Sequence, residues 1–186
     1  MSSLKKLLQW DEKFSREMIL DEKHRLPRLF LQFISHSCDS WYWLIGLVVI
    51  WAATEGTPRQ MAIFTGFGLV LLAMAVLAAK FLIKRPRPEG EFGQIYRITD
   101  PHSFPSGHAA RAAAIAVIFS TLGNPWLTLV VFLWMILVGY SRVALALHYV
   151  SDVIVGWLIG LVSGWLAMLL FPHFIRLVGE YFPTLL

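Results

Sequence analysis

Cysteine occurs once in the 186 residues, at Cys38. No internal disulfide can form and no thiolate cluster can hold a metal, and a lone cysteine reads as a small apolar filler. Charge is scarce as well. Asp, Glu, Lys and Arg make up 15% of the chain against 57% hydrophobic residues, and the mean hydropathy is +0.62. That balance excludes an ordinary soluble domain and identifies a membrane protein. The length is that of one domain, so we expect a single integral membrane domain over residues 1–186, all-α, built as a multi-span transmembrane helix bundle. The net charge of +4 names no anionic partner by itself, because basic residues on such a chain also serve topology and lipid headgroups.

Residues 1–33 lack the long uncharged apolar region and small-residue cleavage site of a signal peptide, so we expect this segment in the mature protein. It mixes Leu4, Leu7, Leu8, Trp10, Phe14, Met18 and Ile19 with many charges. This pattern predicts an amphipathic helix lying on the membrane interface rather than a span.

A bilayer core of about 30 Å needs about 20 apolar residues per helix. Five runs approach that length: Ser37–Thr54, Met61–Ile83, Ser106–Leu122, Trp126–Leu145 and Val150–Phe174. The first and third are short. "EGTPRQ" at 55–60 and "GNP" at 123–125 are minimal turns on one side of the membrane. The opposite side carries "KRPRPEGEFGQIYRITDPHSFPSGH", a long loop rich in charge, Gly and Pro, and long ordered loops are often functional.

Three groups of polar residues stand at the ends of these runs. Lys80 closes the second run, where an ammonium facing lipid would cost a few kcal/mol, and Arg87 follows seven residues later on nearly the same helix face. Such a pair serves either as a headgroup anchor or as a site, and Lys84 and Arg85 fit the anchor better. In the second group, Pro105-Ser106-Gly107-His108 turns a loop into a helix. Ser106 can cap, Gly107 lets a ligand approach free backbone N–H groups, and His108 can exchange a proton near neutral pH; a plain cap followed by an incidental histidine is the simpler alternative. The third group is "SRVALALHYVSD", Ser141 to Asp152. His148 and Asp152 are four apart, so on a helix the carboxylate can accept from one ring nitrogen and leave the other basic. Arg142 would lie about 120° from His148 on a continuous helix. Convergence therefore requires a bend, and "VALAL" contains no Gly or Pro to announce one.

If each run spans once, all three groups emerge on the same side. Lys80, Arg87 and Arg142 then supply cations, Ser106 and Gly107 neutral donors, and His108 and His148 titratable groups. Asp152 is the one acidic residue placed among them, so the set suits a phosphate ester better than a metal.

Lys80-x6-Arg87-Pro88, Pro105-Ser106-Gly107-His108 and Ser141-Arg142-x5-His148-x3-Asp152 resemble, in order, the three-part signature of the type 2 phosphatidic acid phosphatases. These are lipid phosphate phosphatases that share a site with vanadium haloperoxidases. The resemblance covers residues 80–152. It implies that His148 attacks phosphorus to form a phosphohistidine, that Asp152 orients and charge-stabilises it, and that His108 protonates the leaving oxygen and later activates water. It further implies that Lys80, Arg87, Ser106, the Gly107 backbone and Arg142 hold the phosphoryl oxygens, with no metal or other cofactor. Five spans plus an interfacial helix look like the shorter undecaprenyl diphosphate phosphatases of the family. Phosphatidic acid and phosphatidylglycerophosphate remain open as substrates. A lipid-to-lipid phosphotransferase and a non-catalytic lipid-phosphate-binding protein remain the alternatives, although the latter would be expected to lack His148 or Asp152.

His24, His36, His102 and His173 fall outside the signature and receive no catalytic role. The expected partners are the lipid substrate and the bilayer, with no nucleic acid; oligomeric state is left open. The resemblance implies a bacterial cytoplasmic membrane and a site facing the periplasm or exterior. The charge distribution opposes this, because of 16 Lys and Arg only Arg59 and Arg176 lie on the side away from the site.

Overall fold

The structure is a computed structural model that describes residues 3–21, 23–90, 92, 98 and 100–181. The side chain of Leu4, and loop residues 91, 93–97 and 99, lie outside the described part. Seven helices are defined among the described residues: α1 Ser3–Glu17, α2 Arg25–His36, α3 Ser40–Ala53, α4 Thr57–Ile83, α5 Gly107–Ser120, α6 Pro125–Ala144 and α7 Val150–Tyr181. All five apolar runs are helical, with ends displaced by a few residues.

Length sorts them. Helices α4, α6 and α7 are long and apolar enough to cross a membrane. The 14 residues of α3 rise only about 21 Å, and α2 joined to α3 across a 51° bend makes a fourth candidate span. The segment 1–33 is thus two helices rather than one. Helix α1 keeps Leu7, Trp10 and Phe14 exposed, whereas α2 buries Leu31, Ile34 and Ser35. Helix α3 buries none of its residues and turns Trp41, Leu44, Ile45 and Val48 outward, as a lipid-facing helix does.

At the centre stands α5, with Ala109, Ala110, Ala112, Ala113, Ala114 and Ala116 fully buried. An alanine helix has no large side chains to fill space, so its neighbours must come close. Gly156, Gly160 and Gly164 of α7, one helical turn apart, allow this. A Cβ on Gly160 would lie 2.1 Å from the Ala110 carbonyl oxygen, one on Gly156 2.6 Å from that of Ser106, and one on Gly164 2.8 Å from Val117 Cβ. Small residues at such seams let helix backbones pack tightly where lipid supplies no hydrophobic drive.

The ends that carry the site are shaped locally. Helix α4 stops at Lys84, which is left-handed at φ 47°. Ser106 caps α5 by accepting from the Ala109 N–H, and its own N–H donates to the Asp152 carbonyl at 2.9 Å. The bend required between Arg142 and His148 is present. Helix α6 ends at Ala144, Ala146 takes φ 54°, and the N–H groups of Leu147 and His148 both return to the Arg142 carbonyl. His148 therefore precedes α7 in a turn instead of sharing a helix face with Asp152.

Candidate active site

The C-terminal end of α4, the N-terminus of α5 and the α6–α7 turn converge on one cavity of about 610 Å³. Lys80, Arg87, Gly107, His108, Arg142 and His148 line it. Ser106 and Asp152 are fully buried and stand behind the wall, the first as the α5 cap and the second beneath His148.

The chemistry of its neighbours fixes the tautomer of His148. Its Nδ1 lies 2.7 Å from the Ser103 carbonyl oxygen, which can only accept, so Nδ1 carries the proton. Its Nε2 lies 3.0 Å from Arg87 Nη1, which can only donate, so Nε2 presents its lone pair. Burial, then the charges of Arg87, Arg142 and Lys80, hold this imidazole well below the ordinary histidine range. The expected direct bond from His148 to Asp152 is replaced by the one to Ser103. The Asp152 Oδ2 stands 3.6 Å from Nδ1, within charge range but beyond a hydrogen bond. Asp152 is held instead by the Tyr149 N–H at 3.0 Å and by Arg85 Nη1 at 2.9 Å.

Arg85 is the first residue whose place differs from the sequence reading. Rather than anchoring headgroups, it is nearly buried and bridges Asp152 to Asp11 of α1 at 2.8 Å; it also donates to Ser151 Oγ and stacks 3.8 Å over Tyr149. Asp152 is likewise joined by other acids. Asp100 accepts from Lys80 Nζ at 2.9 and 2.7 Å and from Arg87 Nη2 at 2.9 Å, while its carbonyl takes Arg87 Nε at 2.8 Å. Asp39 approaches His108 Nε2 at 2.6 Å and His36 Nδ1 at 2.8 Å. His102 lines the cavity and its carbonyl accepts from Lys80. Buried Arg142 donates from Nη1 to Ser35 Oγ.

Spacing could not reveal the contacts of Arg85 and Asp100, or that of Asp39 with His108, since each crosses a long separation. Weak signals existed for Asp100, which shares the loop with the second motif, and for Asp39, which is three residues from His36. The cavity is therefore lined by four cations, Lys80, Arg87, Arg111 and Arg142, and one carboxylate, Asp100, with apolar walls from Leu69, Leu72, Val76, Leu77 and Phe81. Cations at this density repel a divalent metal and attract a phosphoryl group. Among the described residues no group of three or more His, Cys, Asp or Glu could hold a metal ion.

Known proteins share this frame. The PAP2 superfamily model matches residues 61–176. The undecaprenyl-diphosphatase of Sulfolobus acidocaldarius is 29% identical over 133 residues, 69% of this chain and 61% of that protein. The lipid A 1-phosphatase of Porphyromonas gingivalis is 30% identical over 119 residues, 60% of this chain and 25% of that protein. The chain thus spans less than two thirds of the length of the curated relatives it matches. Among solved structures, the transmembrane PAP2 type phosphatidylglycerolphosphate phosphatase of Bacillus subtilis superposes with a TM-score of 0.72 at 24% identity, covering 90% of this chain and 87% of that one. The Aquifex aeolicus LpxE superposes with a TM-score of 0.65 at 24% identity, covering 78% and 87%; both likenesses are of fold. With a family match across most of the chain and the three motifs gathered on one cavity, the chain belongs to the PAP2 superfamily.

Proposed function

We propose that the chain is a membrane lipid phosphate phosphatase working through a phosphohistidine on His148. The observation that carries this is the Nε2 lone pair of a neutral, buried histidine facing a cavity ringed by Lys80, Arg87 and Arg142. In the free protein Arg87 occupies that lone pair. A phosphoryl oxygen entering the cavity takes the guanidinium for itself, and Nε2 is then released to attack phosphorus. The ring gains positive charge as the P–N bond forms, and the Asp152 carboxylate, 3.6 Å from Nδ1, stabilises it. His108 gives a proton to the departing oxygen and later takes one from the attacking water. Lys80, Arg87, Arg142 and the backbone at Gly107 hold the equatorial oxygens, where charge is greatest in the transition state. Ser106 supports this cradle by capping α5.

The substrate carries a lipid tail, which the apolar residues of α4 along the cavity suit. A polyprenyl diphosphate is the first candidate, followed by phosphatidylglycerophosphate and phosphatidic acid. We place the enzyme in a bacterial cytoplasmic membrane with the site facing outward. Lys80, Arg87 and Arg142 line the cavity, Arg85 pairs with acids, and Arg111 donates to Cys38 and Ser40. These basic residues are retained by the site, which weakens the opposing charge count. Cysteine-accessibility labelling of the 55–60 and 123–125 turns in intact cells tests the orientation; labelling from outside would reverse it.

Purified protein offered a panel of lipid phosphates and diphosphates, with and without excess EDTA, tests the function. Phosphate release that persists in chelator is expected. Release lost in EDTA and restored only by a divalent ion would reject the mechanism, and phosphoryl transfer to an added lipid alcohol in preference to water would favour the phosphotransferase.

A further inference from the structure

Asp39 stands where an aspartate ordinarily caps a helix, and it does not cap. It occupies the N-cap position of α3 with extended backbone, φ −66° and ψ 141°, but its side chain makes no cap hydrogen bond. Its two oxygens face histidines instead, Oδ1 toward His108 Nε2 at 2.6 Å and Oδ2 toward His36 Nδ1 at 2.8 Å. An ionised carboxylate only accepts, so both of those nitrogens are protonated.

The turn carrying Asp39 is fastened to α5. Arg111, one helical turn beyond His108, donates to the Cys38 carbonyl at 2.6 Å and to Ser40 Oγ at 2.6 Å, and Cys38 Sγ donates to the His108 carbonyl at 3.4 Å. These three bonds bracket Asp39 on both sides. The carboxylate therefore meets His108 in a fixed geometry, and a helix cap is forgone to do so.

We propose that Asp39 is a positioning residue for His108, with His36 holding the second oxygen of its carboxylate. The proposal rests on His108 being the leaving-group acid. With Nε2–H bound to Asp39, Nδ1 is the nitrogen that delivers the proton. As His148 Nε2 bonds to phosphorus and the bond to the leaving oxygen breaks, that oxygen takes the Nδ1 proton, and His108 becomes neutral with its remaining proton on Nε2. Water then attacks phosphorus, its proton passes to His108 Nδ1, the P–N bond breaks, and phosphate leaves. Asp39 stays ionised throughout, balancing the imidazolium and keeping Nδ1 toward the substrate.

The test compares wild type, Asp39→Asn, His108→Ala and the double variant on two substrates: a lipid phosphate with an alkoxide leaving group, and p-nitrophenyl phosphate, whose leaving group needs no proton. Asp39→Asn is expected to lower kcat/KM, which reports formation of the phosphoenzyme and not its common hydrolysis, by about 10²-fold on the lipid phosphate and by less than about 10-fold on the aryl ester. The vanadate inhibition constant should be unchanged, and the double variant no slower than His108→Ala. Equal losses on both substrates, or losses that multiply in the double variant, would overturn the assignment of Asp39. If His108→Ala itself shows equal losses, the underlying role of His108 fails instead. Asp39→Glu, which keeps the charge but displaces it by a methylene, gives the same comparison should Asp39→Asn not yield monodisperse protein. It should show the same inequality in smaller measure, and equal losses there also overturn the proposal.

Discussion

His148 is neutral because little around it favours charge: burial and three neighbouring cations all oppose protonation. In the unfolded chain it titrates near the ordinary value of about 6.5. Above that pH both states are neutral and the residue contributes nothing to pH dependence. As pH falls below about 6.5 the unfolded chain binds a proton that the folded one refuses, so stability is lost with acidification, by at most about 1.4 kcal/mol per pH unit from this one group. The thermal midpoint in detergent should therefore fall between about pH 7 and pH 5, with a shallower slope in His148→Asn. The same residue is the proposed nucleophile. His148→Ala should abolish a trapped phosphoenzyme for every substrate, whereas Asp152→Asn should still bind vanadate but lose about 10³-fold in kcat, as read by rapid-quench labelling. Vanadate takes the five-coordinate shape of phosphoryl transfer, so Arg142→Ala should weaken its inhibition. The positions named by the motifs were legible because each motif is short and its residue types are chemically distinctive. Arg85 was not, since a basic residue just past an apolar helix looks the same in sequence whether it reaches headgroups or turns inward to Asp11 and Asp152. Removing it should expose the difference. Arg85→Met leaves two nearly buried carboxylates uncompensated and should destabilise the fold by about 3 kcal/mol or more, where loss of a surface anchor would cost almost nothing.

Helix α1 acts on the site without touching the cavity. The free N–H groups at the start of α7 are satisfied from outside that helix: Val150 N–H donates to Ser15 Oγ at 2.9 Å and Ser151 N–H to Asp11 Oδ1 at 3.0 Å. An amphipathic helix thus caps the helix that carries Asp152. Ser15→Ala should cost about 1 kcal/mol, seen as a lower thermal midpoint with vanadate inhibition retained. The α5–α7 seam is less forgiving. Gly160→Val would force a side chain onto the Ala110 carbonyl, part the two helices and destabilise by about 1–3 kcal/mol or more, detectable as loss of monodisperse protein. Among the elements, the five apolar runs were read with nearly correct ends because hydropathy and Pro or Gly turns agree there. The break between α1 and α2 was hidden by continuous mixing of charged and apolar residues. The start of α7 at Val150 was read correctly, but the turn before it, which takes His148 off the helix, was hidden, because Ala146 takes its left-handed conformation without the Gly that usually marks one.

At the scale of the whole molecule, the antiparallel passage of α4, α5, α6 and α7 brings three motifs from positions 80, 108 and 148 to one end of the bundle, where Lys80, Arg87 and Arg142 share a cavity. That convergence followed from counting spans by parity. Its outcome survives the joining of α2 and α3 across a bend because the order of the long helices is unchanged. The cavity is not closed off from the flank of the bundle: Leu77 and Phe81 line it and are also exposed on a membrane-crossing helix. A substrate whose tail lies along them reaches phosphorus chemistry without leaving the lipid phase. The encounter is then two-dimensional, and the concentration that matters is the mole fraction of substrate among amphiphiles. At constant bulk substrate, diluting mixed micelles with inert detergent should slow turnover of a long-chain lipid phosphate in proportion to its surface fraction. Turnover of a water-soluble aryl phosphate should be indifferent to the same dilution, and initial rates measured across a detergent series distinguish the two.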